Sequence, residues 1–324
     1  MKTRRLGKTD LWVSEIGMGT WALGGPVQAG AEPIGRGPVD AKQALETLHA
    51  ARDRGVNFFD TADIYGLGRS EELLGRAFHK RWHNTIVGTK VGKMISPQGD
   101  IVANFSAAHI IQSVENSLRR LRKGTIDLLQ LHNPAPEVVQ IPDVVACLES
   151  LQTAGKIRYW GVSVRIVPEG LQMIRDGFRG SSMQVVFNLL RQEAADEFLP
   201  LASNNEMGVI VRVPLEYGVL TGKFSRETTF PDTDHRSIHL LPRLAEELRR
   251  LDSLRFLEAG SHHNMAIAAL RYCLSFSAVS TTIPGARTRE QVAQNVTASD
   301  QGPLDAATLA TLGQLYASDF RAPT

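Results

Sequence analysis

Eight short, β-rich apolar runs, each followed by a longer amphipathic stretch, constrain this chain more than any other feature. The runs fall at 13–19, 56–60, 85–90, 126–132, 158–163, 183–188, 208–214 and 279–284. Several of them (IDLLQL, MQVVF, GVIVRV) are almost unbroken apolar stretches, the pattern of strands buried on both faces. Helical spacing is read between them at 40–54, 107–121, 138–154, 189–204 and 262–275. Ser106 stands as an N-cap before the second of these helices, and Gly124 closes it. Strand, helix, parallel strand, repeated, implies right-handed βαβ units. Eight units close a (β/α)8 TIM barrel, and an open doubly wound sheet gives a similar alternation. Periodicity alone does not choose between them.

A length of 324 residues suits an α/β barrel forming a single domain over 1–324. Residues 2–12 alternate around Gly7-Lys8 and are expected to form a β-hairpin plugging the barrel floor. Residues 22–38 read as a glycine- and proline-rich loop, and 215–260 as a long connection with a loop at 224–239 and a charged helix at 242–260. A short helix is expected at 305–315. Connections this long usually serve a site.

The net charge of +2 argues against a protein that binds nucleic acid electrostatically. Arg119, Arg120, Arg122 and Lys123 are read as cations at a helix C-terminus, where the dipole favours them. Cys147 and Cys273 stand far apart among apolar residues, which fits buried thiols and a reducing, cytoplasmic setting. The basic N-terminus has no apolar segment behind it and does not read as a signal peptide. No run approaches the ~18 residues of a membrane span.

A barrel carries its chemistry at the C-terminal ends of its strands. Here the second strand ends at Asp60 with Tyr65 in the following loop, the third at Lys90, and the fourth at His132. Singly, these are an ordinary helix cap, a packed phenol, a solvated ammonium and a core imidazole. Together on one rim they compose an acid–base site. An ammonium beside a phenol favours phenolate and pulls its pKa down from about 10. A carboxylate keeps a buried ammonium charged.

FFDTADIYGLGRSEELLG (58–75), IVGTK (86–90), IDLLQLH (126–132), GKIRYWGVS (155–163), PLEYGVLTGKF (214–224) and IPGARTREQVAQN (283–295) resemble, in order, the aldo-keto reductase superfamily. Within it the chain looks similar to a bacterial group that includes inositol- and sugar-related dehydrogenases and shares features with potassium-channel β subunits. The resemblance makes the closed barrel the expected fold. It implies an NADPH/NADP+-dependent oxidoreductase, with NAD as the alternative, reducing aldehydes or ketones to alcohols or running in reverse. Asp60, Tyr65, Lys90 and His132 then match the catalytic tetrad, Tyr65 as proton donor and His132 as the group that orients the carbonyl. Trp21, Tyr65 and His132 would contact a small carbonyl or sugar substrate.

On the cofactor side, no G-x-G-x-x-G fingerprint follows a first strand, which excludes a Rossmann domain. The resemblance implies instead an extended dinucleotide across the barrel mouth. Gly19, Thr20 and Trp21 would line its nicotinamide end. Asp60 adjoins it, and Ser163 and Gln184 hold the carboxamide. A strap of Pro214, Leu215, Gly218, Leu220, Gly222 and Lys223 would cover the pyrophosphate. Gly285, Arg287, Gln291 and Asn295 would hold the adenine and 2′-phosphate end, where Thr288 and Gln291 have the spacing of a short capped helix. Three positions depart from many relatives: Val164 stands for an asparagine, Arg212 for an aromatic that stacks on the nicotinamide, and Gly285 for a lysine. Arg212 is expected to lie against the ring or reach the pyrophosphate.

Two alternatives stand beside the reductase: a sugar or polyol dehydrogenase working oxidatively, and a nicotinamide-binding redox-sensing subunit with slow turnover. A metal-dependent hydrolase built on His262-His263 or His235/His239 lacks accompanying ligands at metal spacing, and no metal is expected.

Overall fold

The computed structural model describes residues 1–30, 32–259 and 264–321. A hairpin comes first, β1 (Thr3–Arg5) with β2 (Trp12–Ser14), paired Thr3 to Ser14 and Arg5 to Trp12. Eight strands then form one parallel sheet in chain order: β3 (Met18–Gly19), β6 (Phe58–Asp60), β7 (Ile86–Val91), β10 (Ile126–His132), β11 (Ile157–Ser163), β12 (Ser182–Val186), β13 (Gly208–Arg212) and β14 (Val279–Thr282). Parallel bridges from Ile16 to Thr282 and from Gly19 to Gly285 join first strand to last and close the cylinder. The seam is tight there. A Cβ on Gly19 would lie 2.9 Å from the Ile283 carbonyl oxygen, so only glycine lets the strands meet. This is the (β/α)8 barrel.

The helices α1 (Ala41–Asp53), α2 (Arg69–Phe78), α3 (Ala107–Leu121), α4 (Pro142–Thr153), α5 (Val167–Arg175) and α6 (Phe198–Asn204) surround it, with α9 (Met265–Leu274) and α10 (Arg289–Gln301) flanking the last strand. Strands β6, β7 and β14 are buried at every position, as strands packed on both faces must be. Ser106 caps α3 as expected, accepting from His109 N. Arg119 and Arg120 occupy its last turn. The hairpin closes the floor: Leu6, Leu11 and Val13 pack on Phe58, Leu128 and Ile210 from inside the barrel.

Several boundaries move from the sequence reading. The first apolar run divides, because residues 12–14 pair with the hairpin and only Met18–Gly19 enters the barrel sheet. The helix expected at 138–154 is a 3-10 turn, Pro136–Gln140, followed by α4, because Pro142 has no N–H to continue the first segment and fits the first turn of the second. Of the 189–204 helix only α6 forms, since Asn188 turns the chain by accepting from Leu190 N. The 262–275 helix begins at Met265, capped by Asn264, and 262–263 lie outside the described residues. The 22–38 loop contains a second hairpin, β4 (Val27–Ala29) with β5 (Glu32–Ile34), and an unanticipated third, β8 (Lys93–Ile95) with β9 (Ile101–Ala103), follows β7. The 224–239 segment ends in one helical turn, α7 (Arg236–His239). The charged stretch after it supplies α8 (Leu244–Asp252) between 3-10 turns, and the tail forms α11 (Ala306–Ala317).

Candidate active site

Asp60 ends β6, Lys90 stands one residue before the end of β7, and His132 ends β10. The side chains meet at the C-terminal rim. Lys90 Nζ donates to Asp60 Oδ2 at 2.5 Å, to the Thr61 carbonyl at 2.9 Å and to the Tyr65 hydroxyl at 3.1 Å. Lys90 and Asp60 are almost wholly buried. The His132 ring meets the Tyr65 ring edge to face, with centroids 5.9 Å apart.

The loop carrying Tyr65 is pinned by two glycines. Gly66 has φ +63°, and a Cβ on it would lie 2.1 Å from the Gly24 carbonyl oxygen. Gly24 in turn has no room for a Cβ beside Tyr65 and Gly66. The contact presses the first βα loop onto the second and fixes the backbone of the phenol.

Beneath these groups the barrel supplies a polar layer that sequence reading missed. Gln130 and Gln184 both donate to Asp60 Oδ1, at 3.1 and 2.6 Å, and Gln184 also donates to Gln130 Oε1. The three side chains come from strands two, four and six, and alternate strands fill one layer of a barrel interior. A glutamine inside the apolar run IDLLQLH was the available signal. Gln184, expected at the cofactor's carboxamide, is here committed to Asp60 while still facing the cavity.

The electrostatics separate the groups. Burial works against the Lys90 charge, but Asp60 and then Tyr65 outweigh it and hold its pKa above the usual lysine value. Burial is also the largest influence on Tyr65. It raises the phenol above its ordinary value of 10, with Lys90 pulling the other way and Asp60 pushing up. The expectation of a net lowered phenol is therefore corrected: Lys90 has the expected sign, but desolvation wins. Burial, then Lys90, Lys93 and Arg212, depress His132 well below 6.5, so its ring is neutral at physiological pH. Its Nδ1 is buried without a partner among the described residues.

A cavity of about 760 Å³ opens over this rim. Of the residues expected from sequence, Gly19, Trp21, Asp60, Tyr65, His132, Gln184 and Arg212 line its deep end. Pro214, Leu215, Gly218 and Lys223 line one side, and Gly285, Arg287, Gln291 and Asn295 the outer end. Five others sit elsewhere. Lys90 lies behind Tyr65. Thr20 is buried, its hydroxyl shared between the Asp60 carbonyl and Ser70. Leu220 is fully buried in the apolar core. Gly222 forms the left-handed end of the 3-10 turn Glu216–Thr221, 3.4 Å from Arg255 at its would-be Cβ. Ser163 donates to Asn133 Oδ1 at 2.7 Å, so an amide stands beside it, but from the end of β10 rather than from position 164. Arg212 is fixed through Nη2 to the Val164 carbonyl at 3.0 Å, while its buried Nε lacks a partner.

At the outer end Thr288 caps α10 by accepting from Gln291 N. The Gln291 side chain reaches back to Arg287 N, one residue before the cap. The helix that follows runs thirteen residues rather than forming a short one. Arg287 donates to the Arg36 and Pro38 carbonyls, and Arg289 pairs with Glu46 at the surface. The strap is held from behind by Glu216, which is buried and accepts from Asn188 Nδ2 at 2.9 Å and Arg243 Nη2 at 2.7 Å. His235 and His239 stack 3.9 Å apart beside Trp21, and no group of ligands able to hold a metal ion occurs among the described residues. His262 and His263 lie outside those residues.

A closed barrel thus carries a buried carboxylate and ammonium in contact with a phenol, and an imidazole beside them, at the mouth of an open cavity. The chain belongs to the aldo/keto reductase family, whose profile matches residues 15–317. Among curated proteins it is 32% identical over 297 residues to the aldo-keto reductase YhdN of Bacillus subtilis, covering 89% of this chain and 85% of that one. It is 29% identical to a probable voltage-gated potassium channel subunit beta of Oryza sativa (94% and 93% covered) and 30% identical to an NADH-specific methylglyoxal reductase of Escherichia coli (92% and 93%). Among solved structures it superposes on the glycerol dehydrogenase AKR11B4 of Gluconobacter oxydans with a TM-score of 0.83 at 31% identity, covering 100% and 97%. A Klebsiella pneumoniae aldo/keto reductase in complex with NADP and acetate gives 0.71 at 25% identity, covering 98% and 96%. The family is one of oxidoreductases that use nicotinamide cofactors. No helix among the described residues is long and apolar enough to cross a membrane.

Proposed function

We propose that this chain, acting as one unit, interconverts small aldehydes or ketones and their alcohols with NADP(H), in a reducing, cytoplasmic setting that suits its two buried free thiols. One observation carries the reading: a single buried ammonium lies 2.5 Å from Asp60 and 3.1 Å from the Tyr65 hydroxyl, at the wall of the cavity. The residues present fit a dinucleotide. Cavity-lining Arg212 keeps an unpaired buried Nε, and Gly218 at φ +107° gives the strap a backbone that a side chain would obstruct. Arg212 would shelve the nicotinamide, the strap would cover the pyrophosphate, and Gln291, Asn295 and the N-terminus of α10 would face the adenosine phosphates.

When bound, the reduced nicotinamide supplies a hydride to the carbonyl carbon. Tyr65 gives the oxygen its proton, and the raised phenol pKa keeps that proton in place near neutrality. Lys90 stabilises the phenolate that remains, with Asp60 keeping Lys90 charged. Neutral His132 donates to the carbonyl oxygen and fixes its direction. Trp21 and Ile64 wall the substrate space. NADP over NAD rests on the resemblance and on Arg287 at the outer end; the methylglyoxal relative, named as NADH-specific, argues for assaying both.

The glycerol dehydrogenase likeness favours a second reading, oxidation of a polyol or sugar. The channel-subunit relative favours a third, a slow redox sensor. Tyr65→Phe distinguishes the reductase reading from the last. We expect turnover with simple aldehydes to fall by ~10²-fold or more while cofactor affinity stays. Unchanged turnover in that variant rejects the assignment of Tyr65, and negligible turnover in the wild type with tight cofactor retention selects the sensor.

A further inference from the structure

Arg36 belongs to none of the expected site residues, yet it lines the cavity. Its loop is fastened in place. Arg36 forms an antiparallel bridge with Asp234, His235 N donates to the Gly35 carbonyl at 3.0 Å, and Arg287 donates to the Arg36 carbonyl at 2.8 Å. Asp234 lies within electrostatic reach of the side chain, but no ion pair or hydrogen bond joins the two side chains among the described residues. The Arg36 guanidinium lies over the Trp21 ring face, 5.4 Å from the centroid, and its Nε is buried without a hydrogen-bond partner among the described residues. The nearby carboxylate, Asp234, is taken by Arg236 through two parallel hydrogen bonds of 2.9 and 2.6 Å. Burial, with Arg236 next in weight, pulls the Arg36 pKa down to about 10, which leaves it charged. Lys223 on the strap stands in the same field, repelled by Arg236 and Arg36 and lying over the Phe224 ring. A buried cation with unused donors is costly unless an anion completes it.

Its position along the cavity identifies that anion. Arg36 lays its guanidinium over the ring of Trp21, which lines the deep end of the cavity. Through its carbonyl it touches Arg287, at the adenosine end. An extended dinucleotide carries its backbone charges midway between its two rings.

We propose that Arg36 binds the pyrophosphate of the cofactor, reaching it from the first βα loop opposite Lys223, so that two loops clasp the diphosphate between them. This rests on the nicotinamide reading above and adds to it a residue and a second wall. It also gives the 22–38 loop a part in holding the cofactor.

The test is calorimetric titration of wild type, Arg36→Met and Arg36→Lys with NADP+, ADP and adenosine 2′-monophosphate. Wild type binding no dinucleotide rejects the nicotinamide reading itself. Given wild-type binding, Arg36→Met should weaken NADP+ and ADP alike by about tenfold or more, with the 2′-monophosphate unaffected, and Arg36→Lys should recover part of the loss. Without ligand, Arg36→Met should unfold at no lower temperature than wild type, because it deletes a cation that forms no ion pair and whose buried Nε has no hydrogen-bond partner among the described residues. NADP+ affinity within twofold of wild type overturns the proposal. So does an equal loss for the 2′-monophosphate, which assigns Arg36 to the other phosphate. Intact cofactor affinity with a raised KM for glyoxylate but not for a neutral aldehyde also overturns it, and assigns Arg36 to an anionic substrate.

Discussion

Lys90→Met removes a charge from the most enclosed part of the site, and the structure sets the size of the effect. At 2.5 Å the Lys90–Asp60 attraction is about 7 kcal/mol at an effective dielectric of ~20, before the cost of burying both ions is set against it. That burial cost cancels much of the gain while both partners are present. With Lys90 gone it does not: Asp60 keeps its amide donors Gln130 and Gln184 but loses its counter-ion at a position only 2% exposed. Removing one member of such a pair costs ~3–5 kcal/mol. Lys90→Met should therefore be destabilised by that amount in equilibrium urea unfolding at pH 7. The double variant Asp60→Asn/Lys90→Met, neutral at both positions, should be destabilised by at least ~2 kcal/mol less than the sum of the single changes. If the two costs simply add to within ~0.5 kcal/mol, the ammonium and the carboxylate are not one electrostatic unit, and the argument that Asp60 holds Lys90 charged for Tyr65 fails with it.

Two further outcomes follow from the titrations. Burial raises Asp63 to about 7, with Glu71 adding to the shift, and a carboxyl raised in the folded state contributes most stability below its unfolded value of 3.8 and loses it as pH climbs toward 7. Asp63→Asn should accordingly unfold at higher urea than wild type at pH 8, by at most about 4 kcal/mol, with the advantage vanishing near pH 4; an advantage independent of pH contradicts the assignment. Because the Tyr65 phenol titrates above 10, carbonyl reduction should be level through neutral pH and decline only in strong base, whereas alcohol oxidation, which needs the phenolate, should climb steadily with pH. A reduction rate that halves between pH 7 and 8 would place the acid elsewhere.

The alternation of apolar strand and amphipathic helix determined the eight βα units and their order, because burial on both faces writes itself as unbroken apolar runs, but it left a closed barrel and an open sheet equally possible until the motifs were read. The rim residues were equally readable, since a barrel puts Asp60, Lys90 and His132 at strand ends whatever its details. The hairpin plug showed itself in the alternation around Gly7. Chain breaks inside helical patterns did not, because they depend on one proline's missing N–H at Pro142 and one side chain's competing hydrogen bond at Asn188.

What only the tertiary structure decided is which polar groups face one another. Gln130 and Gln184 are 54 residues apart and meet on Asp60 because alternate strands share a layer. Asn133 comes to Ser163 across two strand ends, and Arg36 lines the cavity on a loop bridged to Asp234 through the backbone. The net direction of the Tyr65 pKa was likewise out of reach of sequence. A neighbouring lysine can be read from a motif, but the amount of water removed from the phenol depends on every wall of the cavity.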